Sequence, residues 1–314
     1  MSDAARRRAR ALGYFEAIAA ACLWGSSGIF AVHLFRMGVP PESVALLRPV
    51  AGAAFLLAWL LVARPTDVRV DRRGLLLLGL GGGLAVGIFQ IAYQLSTDAV
   101  GVPTTVALLY IAPALVVAIS GPLLGEWPTR ARVGLVLVTL TGVWLSVLGA
   151  HAVPTTFGTS GLVWGVVAAC GYAAYTLFGR MVAPTYGSAR TVLYSTVGSC
   201  VVLVTVVPLF SGSIVLPSTP RAWTVLLAFG LLTIAVAHTL FFDALARIEA
   251  GRVSIAAAVE PVVAGLLATV LLAQGLSPIG WIGIALVVAG VAGVGVTRDR
   301  ADAGADDPPD AVAR

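Results

Sequence analysis

The sequence contains no lysine and few charged residues of any kind. All 20 of its positive charges are arginines, Asp and Glu add only 15 negative charges, and charged residues make up 11% of the 314 positions. Soluble domains carry about a quarter charged residues, so this composition excludes an ordinary water-exposed surface. Hydrophobic residues make up 59% of the chain and the mean hydropathy is +0.96, which is typical of an integral membrane protein.

Cysteine and histidine are also scarce, with three of each. Cys22, Cys170 and Cys200 all fall inside apolar runs, where buried thiols are expected rather than disulfides or metal ligands. We therefore predict no metal and no cofactor. The net charge of +5 does not predict nucleic-acid binding, because the arginines sit in short connections between apolar runs.

The apolar runs predict an all-α integral membrane protein with ten membrane-spanning helices, each about 20 residues long. Gly and Pro residues mark several of the joins between them. The predicted helices lie at about residues 14–35, 43–63, 74–95, 102–124, 131–149, 160–181, 190–210, 222–243, 253–273 and 278–297.

The arginines are distributed unequally between the two sides of such a bundle. When the connections are assigned alternately to two sides, Arg36 and Arg221 fall on one side and Arg48 falls inside a span. The other side carries all the rest, namely Arg6, Arg7, Arg8, Arg10, Arg64, Arg69, Arg72, Arg73, Arg130, Arg132, Arg180, Arg190, Arg247, Arg252, Arg298, Arg300 and Arg314. Positively charged loops stay in the cytoplasm, so both termini are predicted to be cytoplasmic.

The two halves of the chain repeat short motifs in the same order. The matching pairs are Leu23–Gly25 with Val163–Gly165, Pro113 with Pro261, Leu123–Glu126 with Leu271–Gln274, and Gly134 with Gly283. Because each half has five spans, the halves are predicted to be inverted relative to each other, an arrangement common in carriers. The predicted organisation is a cytoplasmic tail at 1–13, a first repeat at 14–149, a linker at 150–159, a second repeat at 160–297 and a disordered tail at 298–314.

These motifs resemble those of the EamA family, which belongs to the drug/metabolite transporter superfamily. The resemblance covers about residues 14–297 and is carried by Trp24-Gly25, Arg48, Pro113, Leu124-Gly125-Glu126 and Val259-Glu260-Pro261. It implies a ten-helix carrier of two inverted repeats with a central cavity and alternating access. It implies neither ATP hydrolysis nor a prosthetic group.

On this basis we expect a secondary transporter in the inner membrane that moves an amino acid or related amphipathic metabolite, most simply by export. The alternative among carriers is a nucleotide-sugar or sugar-phosphate translocator, which the lack of a mid-membrane Arg or Lys in the second half disfavours. The alternative from another class is a membrane-embedded lipid or isoprenoid transferase, which the three scattered histidines disfavour. The expected partners are a small-molecule substrate and the lipid bilayer, and the protein is expected to be a monomer or homodimer.

Arg48 and Glu260 are the two charged residues deepest inside predicted spans. A charge at such depth costs several kcal/mol and usually faces a cavity or a partner. Arg48 is a candidate for docking a substrate carboxylate or phosphate, although its long stem also permits snorkelling to the headgroups. Glu260 is a candidate proton-coupling residue, or a structural carboxyl that holds helices together.

Further candidates come from polar, aromatic and proline residues inside the spans. Residues able to line a cavity for an amphipathic substrate are Trp24, Gln90, Tyr110, Trp164 and Tyr175, although aromatic residues also serve as packing or interfacial anchors. Pro113 and Pro261 remove a backbone donor within a span. They indicate either a hinge or simple packing.

One end of the predicted helix 8 carries several charges. His238 and Asp243, together with Arg247, Glu249 and Arg252, form either an inner gate or a solvated helix end, and the solvated end is the simpler interpretation. Glu126, which follows helix 4 on the same side, is expected to cap a helix or pair with an arginine rather than bind substrate.

The arginine distribution predicts which loops face the outside. We expect a single cysteine placed at His151 to react with an impermeant thiol reagent added to intact cells, and a cysteine placed at Arg69 not to react, in a background that lacks the native cysteines. Labelling of Arg69→Cys from outside would contradict the predicted topology.

Overall fold

The computed structural model describes residues 3–149, 159–211, 213–272 and 277–296, and within these ranges regular structure is entirely helical. Two segments, Leu75–Gly82 and Leu231–Val236, are π-helical, and Pro65–Val68 forms one 3₁₀ turn. The α-helices are α1 (Asp3–Gly25), α2 (Ser27–Arg36), α3 (Pro41–Ala63), α4 (Arg72–Gly74), α5 (Gly83–Leu109), α6 (Ala112–Leu124), α7 (Arg130–Leu148), α8 (Thr159–Tyr186), α9 (Ser188–Ser211), α10 (Pro220–Gly230), α11 (Ala237–Arg247), α12 (Ala250–Ala257), α13 (Glu260–Leu272) and α14 (Pro278–Val296).

Eight stretches of the described chain are long and apolar enough to cross a membrane. They are 5–36, 41–63, 72–93, 105–124, 159–186, 188–209, 220–247 and 250–267, and the described part of α14 is a shorter apolar helix. The all-helical membrane architecture is therefore confirmed, whereas the count of ten spans and the position of the termini stay predictions.

Several helix boundaries differ from those predicted. The helix that begins at Gly83 continues to Leu109, through residues 96–101 where the sequence predicts a connection. Polar side chains allow this, because Ser96 Oγ bonds to Thr105 Oγ1 at 2.9 Å and to the carbonyl of Gly161 at 2.9 Å, inside the fold. Helix α1 begins at Asp3, within the segment predicted as a tail.

Small residues allow the last helices of the two halves to pack closely. A methyl group added to Gly142 of α7 would lie 2.7 Å from the carbonyl oxygen of Gly283 in α14, and one added to Gly149 would lie 2.3 Å from Cα of Gly280. Ser277 N also donates to the carbonyl of Gly149 at 2.9 Å. Backbone-to-backbone contact of this kind is a common way for helices to associate in lipid, where apolar side chains gain little by leaving the lipid tails.

The largest buried cluster lies between the two halves rather than within either one. It brings Trp24 and Leu56 of the first half against Tyr175, Phe241 and Phe242 of the second. The predicted linker at 150–159 falls outside the described residues apart from Thr159, and the tail at 298–314 lies wholly outside them. The centre of the molecule is therefore an interface between halves, and this interface holds the candidate site.

Candidate functional site

Two broken helices meet at the centre of the bundle. The first break is at Tyr110 and Ile111, between α5 and α6, and the second is at Ala258 and Val259, between α12 and α13. The two breaks are separated by 148 positions in the sequence, the same offset as the matching prolines Pro113 and Pro261, so they occupy equivalent places in the two halves. Tyr110 and Ala258 pack in one buried cluster with residues of α7, α13 and α14.

Pro113 and Pro261 occupy equivalent positions just after these breaks. Each is the second residue of the helix that follows, α6 and α13 respectively. A proline in the first turn sacrifices no helical hydrogen bond, because the first amide groups of a helix have no partner in any case. The prolines therefore begin new helical segments, whereas the sequence alone placed them as kinks inside continuous helices.

A hydrogen bond joins the two breaks. The hydroxyl of Tyr110 donates to Oε2 of Glu260 at 2.9 Å. Tyr110 is 6% exposed, and Glu260 is the first residue of α13, where the helix dipole favours a carboxylate. The contact thus connects the end of a helix in one half with the start of a helix in the other.

Arg48 contacts side chains of two other helices inside the bundle. It lies seven residues after Pro41, the first residue of α3, which corresponds to a depth of about 10 Å. Its Nη2 donates to Oε1 of Gln90 at 2.9 Å, and its Cζ lies 4.9 Å from the centre of the Phe229 ring. This geometry combines a charge-assisted hydrogen bond with a cation–π contact.

Gln90 has a free hydrogen-bond donor next to this arginine. The side chain is 1% exposed, and its Nε2 has no protein partner among the described residues. A buried amide without a partner costs about 1–3 kcal/mol. Arg48 and Gln90 together therefore offer donors that an anionic group can fill.

Arg48 and Glu260 attract each other through space, but each is held by a neutral side chain. The guanidinium binds Gln90 and the carboxylate binds Tyr110. The opposite charges thus share one region without closing into a single ion pair. Such an arrangement leaves both charges able to bind a ligand that carries the complementary groups.

An aromatic cluster lies beside these charges, with Trp24 at its centre. The Trp24 ring lies 5.0 Å from His238, 5.0 Å from Phe241 and 6.3 Å from Tyr172. Tyr172 in turn lies 5.7 Å from Phe89. These faces offer a large apolar surface suited to a hydrophobic side chain.

A π-helical segment orients two members of this cluster. The carbonyl of Thr233, within Leu231–Val236, accepts hydrogen bonds from Trp24 Nε1 at 2.9 Å and from His238 Nδ1 at 2.6 Å. His238 Nδ1 is therefore the protonated ring nitrogen. Short π-helical segments occur frequently at functional sites, and here the segment fixes an indole and an imidazole on one carbonyl.

The structure brings together most of the predicted site residues but not all. Trp24, Gln90, Arg48, Tyr110 and Glu260 lie in the region just described. Tyr175 lies near it, 5.7 Å from the His238 ring, with a buried hydroxyl that has no protein partner among the described residues. Trp164 lies at the edge of the aromatic cluster, where it packs with Phe89, Tyr93 and Tyr172 rather than against Trp24.

Sequence reasoning missed the contribution of α10 and α11. Phe229 and Thr233 carry no motif, and His238 was considered only for a charged helix end. The π-helical segment that turns them toward Arg48 and Trp24 has no recognised sequence signal. Among the described residues, no group of three or more His, Cys, Asp or Glu is placed to hold a metal ion.

Comparisons with known proteins agree on a family of membrane transporters. The model of the EamA-like transporter family matches twice, at residues 11–148 and 159–296. An uncharacterized transporter of Archaeoglobus fulgidus is 28% identical over 90% of this chain and 96% of its own. The uncharacterized inner membrane transporter YicL of Salmonella typhimurium is 23% identical over 89% of this chain and 93% of its own.

A solved crystal structure supports the same fold. It superimposes with a TM-score of 0.77 at 20% identity, covering 90% of this chain and 96% of the other. At that level of identity the likeness shows the fold alone.

Two buried tyrosines provide a matched test of the contact between the breaks. We expect Tyr110→Phe to lower the free energy of unfolding by about 1 kcal/mol, because Glu260 loses a donor inside the bundle. Tyr175→Phe removes a hydroxyl that has no protein partner among the described residues, and it should lower the free energy of unfolding by less. The measurement is thermal unfolding of the purified variants in detergent, and equal losses for the two would contradict the assignment.

Proposed function

The chain belongs to the EamA-like transporter family, and on that premise we propose that it is a secondary transporter for a small amphipathic metabolite. The proposed substrate is an amino acid or related zwitterion, and the proposed direction is export by alternating access. Eight apolar spans and the inner membrane transporter among its relatives make the chain a multi-pass inner membrane protein.

One observation carries the proposal. Arg48 of the first half and Glu260 of the second carry opposite charges that attract each other in one partly buried region, and each is held by a neutral side chain. A zwitterion supplies both complementary charges. Its carboxylate can accept from Arg48 and from the free Nε2 of Gln90, and its ammonium group can donate to Glu260.

The aromatic cluster supports an amphipathic rather than a purely polar substrate. Trp24, Tyr172 and Phe241 present ring faces and edges within 6.3 Å of each other. An apolar side chain buried against such rings gains about 25 cal/mol for each Å² removed from water. The charges would then fix the orientation of the substrate and the rings would favour its apolar part.

The two broken helices support a carrier mechanism. Discontinuous helices at the interface of two repeats are a recurring feature of secondary transporters, in which the repeats rock around a central site. The proposed energy source is a proton gradient or the gradient of the substrate itself. An intramembrane carboxyl such as Glu260 can hold a proton in one step and a cationic group in another.

Removal of the guanidinium tests the proposed carboxylate site. We expect Arg48→Ala to reduce exchange of labelled amino acids in proteoliposomes by at least about 30-fold, because losing one partner of a desolvated charge-assisted contact costs about 2 kcal/mol or more. Arg48→Lys should restore little, since an ammonium group lacks the planar fork. The compounds tested should also include the decarboxylated amine and the methyl ester of each amino acid. We expect both to be poor substrates, because neither carries the carboxylate.

Arg36→Ala is the matched control, because Arg36 is exposed at the end of α2. The Arg36→Ala protein should transport normally. Near-normal exchange by folded Arg48→Ala protein would overturn the assignment of a carboxylate site.

Glu260→Gln tests proton coupling. The substitution keeps the shape of the side chain and its ability to accept from Tyr110, but it cannot release a proton. We expect exchange of substrate for substrate to survive, because no net proton movement is needed, and accumulation driven by an imposed pH gradient to disappear. Accumulation by Glu260→Gln, or a wild type indifferent to the pH gradient, would leave Glu260 with a structural role only.

A further inference from the structure

All the ion pairs that the structure records among the described residues lie at the arginine-rich end of the bundle. Three of them join residues that are far apart in the sequence: Glu16–Arg247 at 3.0 Å, Glu126–Arg180 at 2.6 Å and Arg132–Glu249 at 2.5 Å. We call these three pairs the latch. They combine buried and partly solvated groups: Glu16 is 6% exposed and Arg132 2%, whereas the side chains of Arg247 and Glu249 are 31% and 25% exposed.

Every pair of the latch joins the first half of the chain to the second. Glu16 belongs to α1 and Arg132 to α7, and their partners lie at the end of α11 and just before α12. Glu126 follows α6, and its partner Arg180 lies in α8. The latch thus clamps together the two units that a carrier must separate at one end.

This arrangement explains the Leu124-Gly125-Glu126 motif in physical terms. Gly125 ends α6 with φ of 73°, a left-handed conformation that favours glycine. The turn brings Glu126 back over the helix end, where its Oε1 accepts from Arg180 and its Oε2 accepts from the amide of Ala250 at 2.9 Å. The expectation that Glu126 pairs or caps is therefore confirmed, with Arg180 as its partner.

The latch holds the connection between α11 and α12 from both sides. Arg180 Nη1 donates to the carbonyl of Leu245 in the last turn of α11, while Glu126 binds the first amide of α12. Arg252, 1% exposed, adds hydrogen bonds to Tyr14 and to the carbonyl of Val294. Helix α12 therefore starts inside a cluster of polar groups that both halves of the chain contribute.

Helix α12 leads directly from the latch to the candidate site. Its eight residues span about 12 Å and end at the break that precedes Glu260. A movement that frees the start of α12 therefore reaches the segment that carries the candidate proton site.

At the opposite end, the halves meet mainly through apolar contacts, with one hydrogen bond from Val215 N to Ser43 Oγ at 2.9 Å. Phe30 stacks on Phe229 with ring centres 5.3 Å apart, and Leu34 packs with Leu226 in one buried cluster. The described residues record no ion pair at that end. The two ends of the bundle are therefore closed by different kinds of interaction.

We propose that the latch is the gate that closes the transport pathway at the arginine-rich end, and that it is shut in this structure. The inference rests on the proposed function, since a gate has meaning only for a carrier. Opening the gate separates the three pairs and admits water along α12.

Ion pairs suit such a gate for an energetic reason. The attraction gained on pairing is offset by the loss of hydration of both charges. Separated charges that regain water therefore cost little, so the open and closed states can be close in free energy. A charge whose partner has been removed by mutation behaves differently. It raises the free energy of the closed state, where it has lost water, but not that of the open state, where water surrounds it.

The test measures water access to α12 and needs no substrate. Ser254 of α12 is 1% exposed and serves as a reporter when replaced by cysteine, with Cys22, Cys170 and Cys200 replaced by alanine. We expect Glu126→Gln to raise the labelling rate of Ser254→Cys by a water-soluble maleimide at least about tenfold. The closed state then holds the partly buried guanidinium of Arg180 without its counter-charge, which disfavours that state relative to the open one.

Two matched controls separate gating from general loosening. Arg64→Gln removes a charge at the same end, where Arg64 is exposed and stacks on Trp59, and should leave the rate unchanged. Ser199→Cys reports on α9, where Ser199 is fully buried away from the latch, and should label slowly in every variant.

An unchanged rate at Ser254→Cys in folded Glu126→Gln protein would overturn the proposal, and so would an equal rise at Ser199→Cys. If Glu126→Gln does not fold, Glu249→Gln breaks the pair with Arg132 and carries the same expectations. Because no substrate is used, failure here leaves the effect of Arg48→Ala on transport untouched, and the two proposals fail separately.

Discussion

The interior of a bilayer offers no water to a charged or polar group, and the rest of this structure depends on that constraint. Each polar atom placed at depth must find its partner within the chain or on a ligand. Arg48 finds Gln90, Glu260 finds Tyr110, and the carbonyl of Thr233 serves both Trp24 and His238. Two buried atoms without protein partners among the described residues, Gln90 Nε2 and Tyr175 Oη, lie in or beside this same region.

The repeat supplies a symmetric frame with asymmetric chemistry. The two breaks and their prolines coincide at one sequence offset, yet the first break carries Tyr110 where the second carries Ala258. The second half also places Tyr194, rather than an arginine, where the first half has Arg48, and its hydroxyl binds the carbonyl of Val68. One half therefore contributes the cation of the proposed site and the other half contributes the anion.

The sequence predicts the membrane class, the family and the deep charges, because these depend on composition, spacing and the cost of burying a charge. It does not predict the partners. Gln90 and Phe229 contact Arg48 from different helices, and the sequence around either residue contains no pattern that predicts the contact. The continuation of α5 through 96–101 escaped prediction for a similar reason: a polar stretch looks like a loop unless its partners, here Thr105 and Gly161, are known. Trp164, chosen as a repeat of Trp24, packs against Phe89 and Tyr172 rather than at the centre of the aromatic cluster.

The π-helical segment Leu231–Val236 has a further consequence for how this sequence tolerates change. A π segment accommodates an additional residue in a helix without ending it, and each residue of an α-helix turns the chain by about 100°. Deleting one residue there would give a straighter and more regular helix, but every side chain beyond it would rotate by that angle. His238 and Phe241 would then leave the face that Trp24 touches. The π-helical segment therefore determines which face of α11 points toward Trp24, and a regular α-helix at this place would remove His238 and Phe241 from that contact.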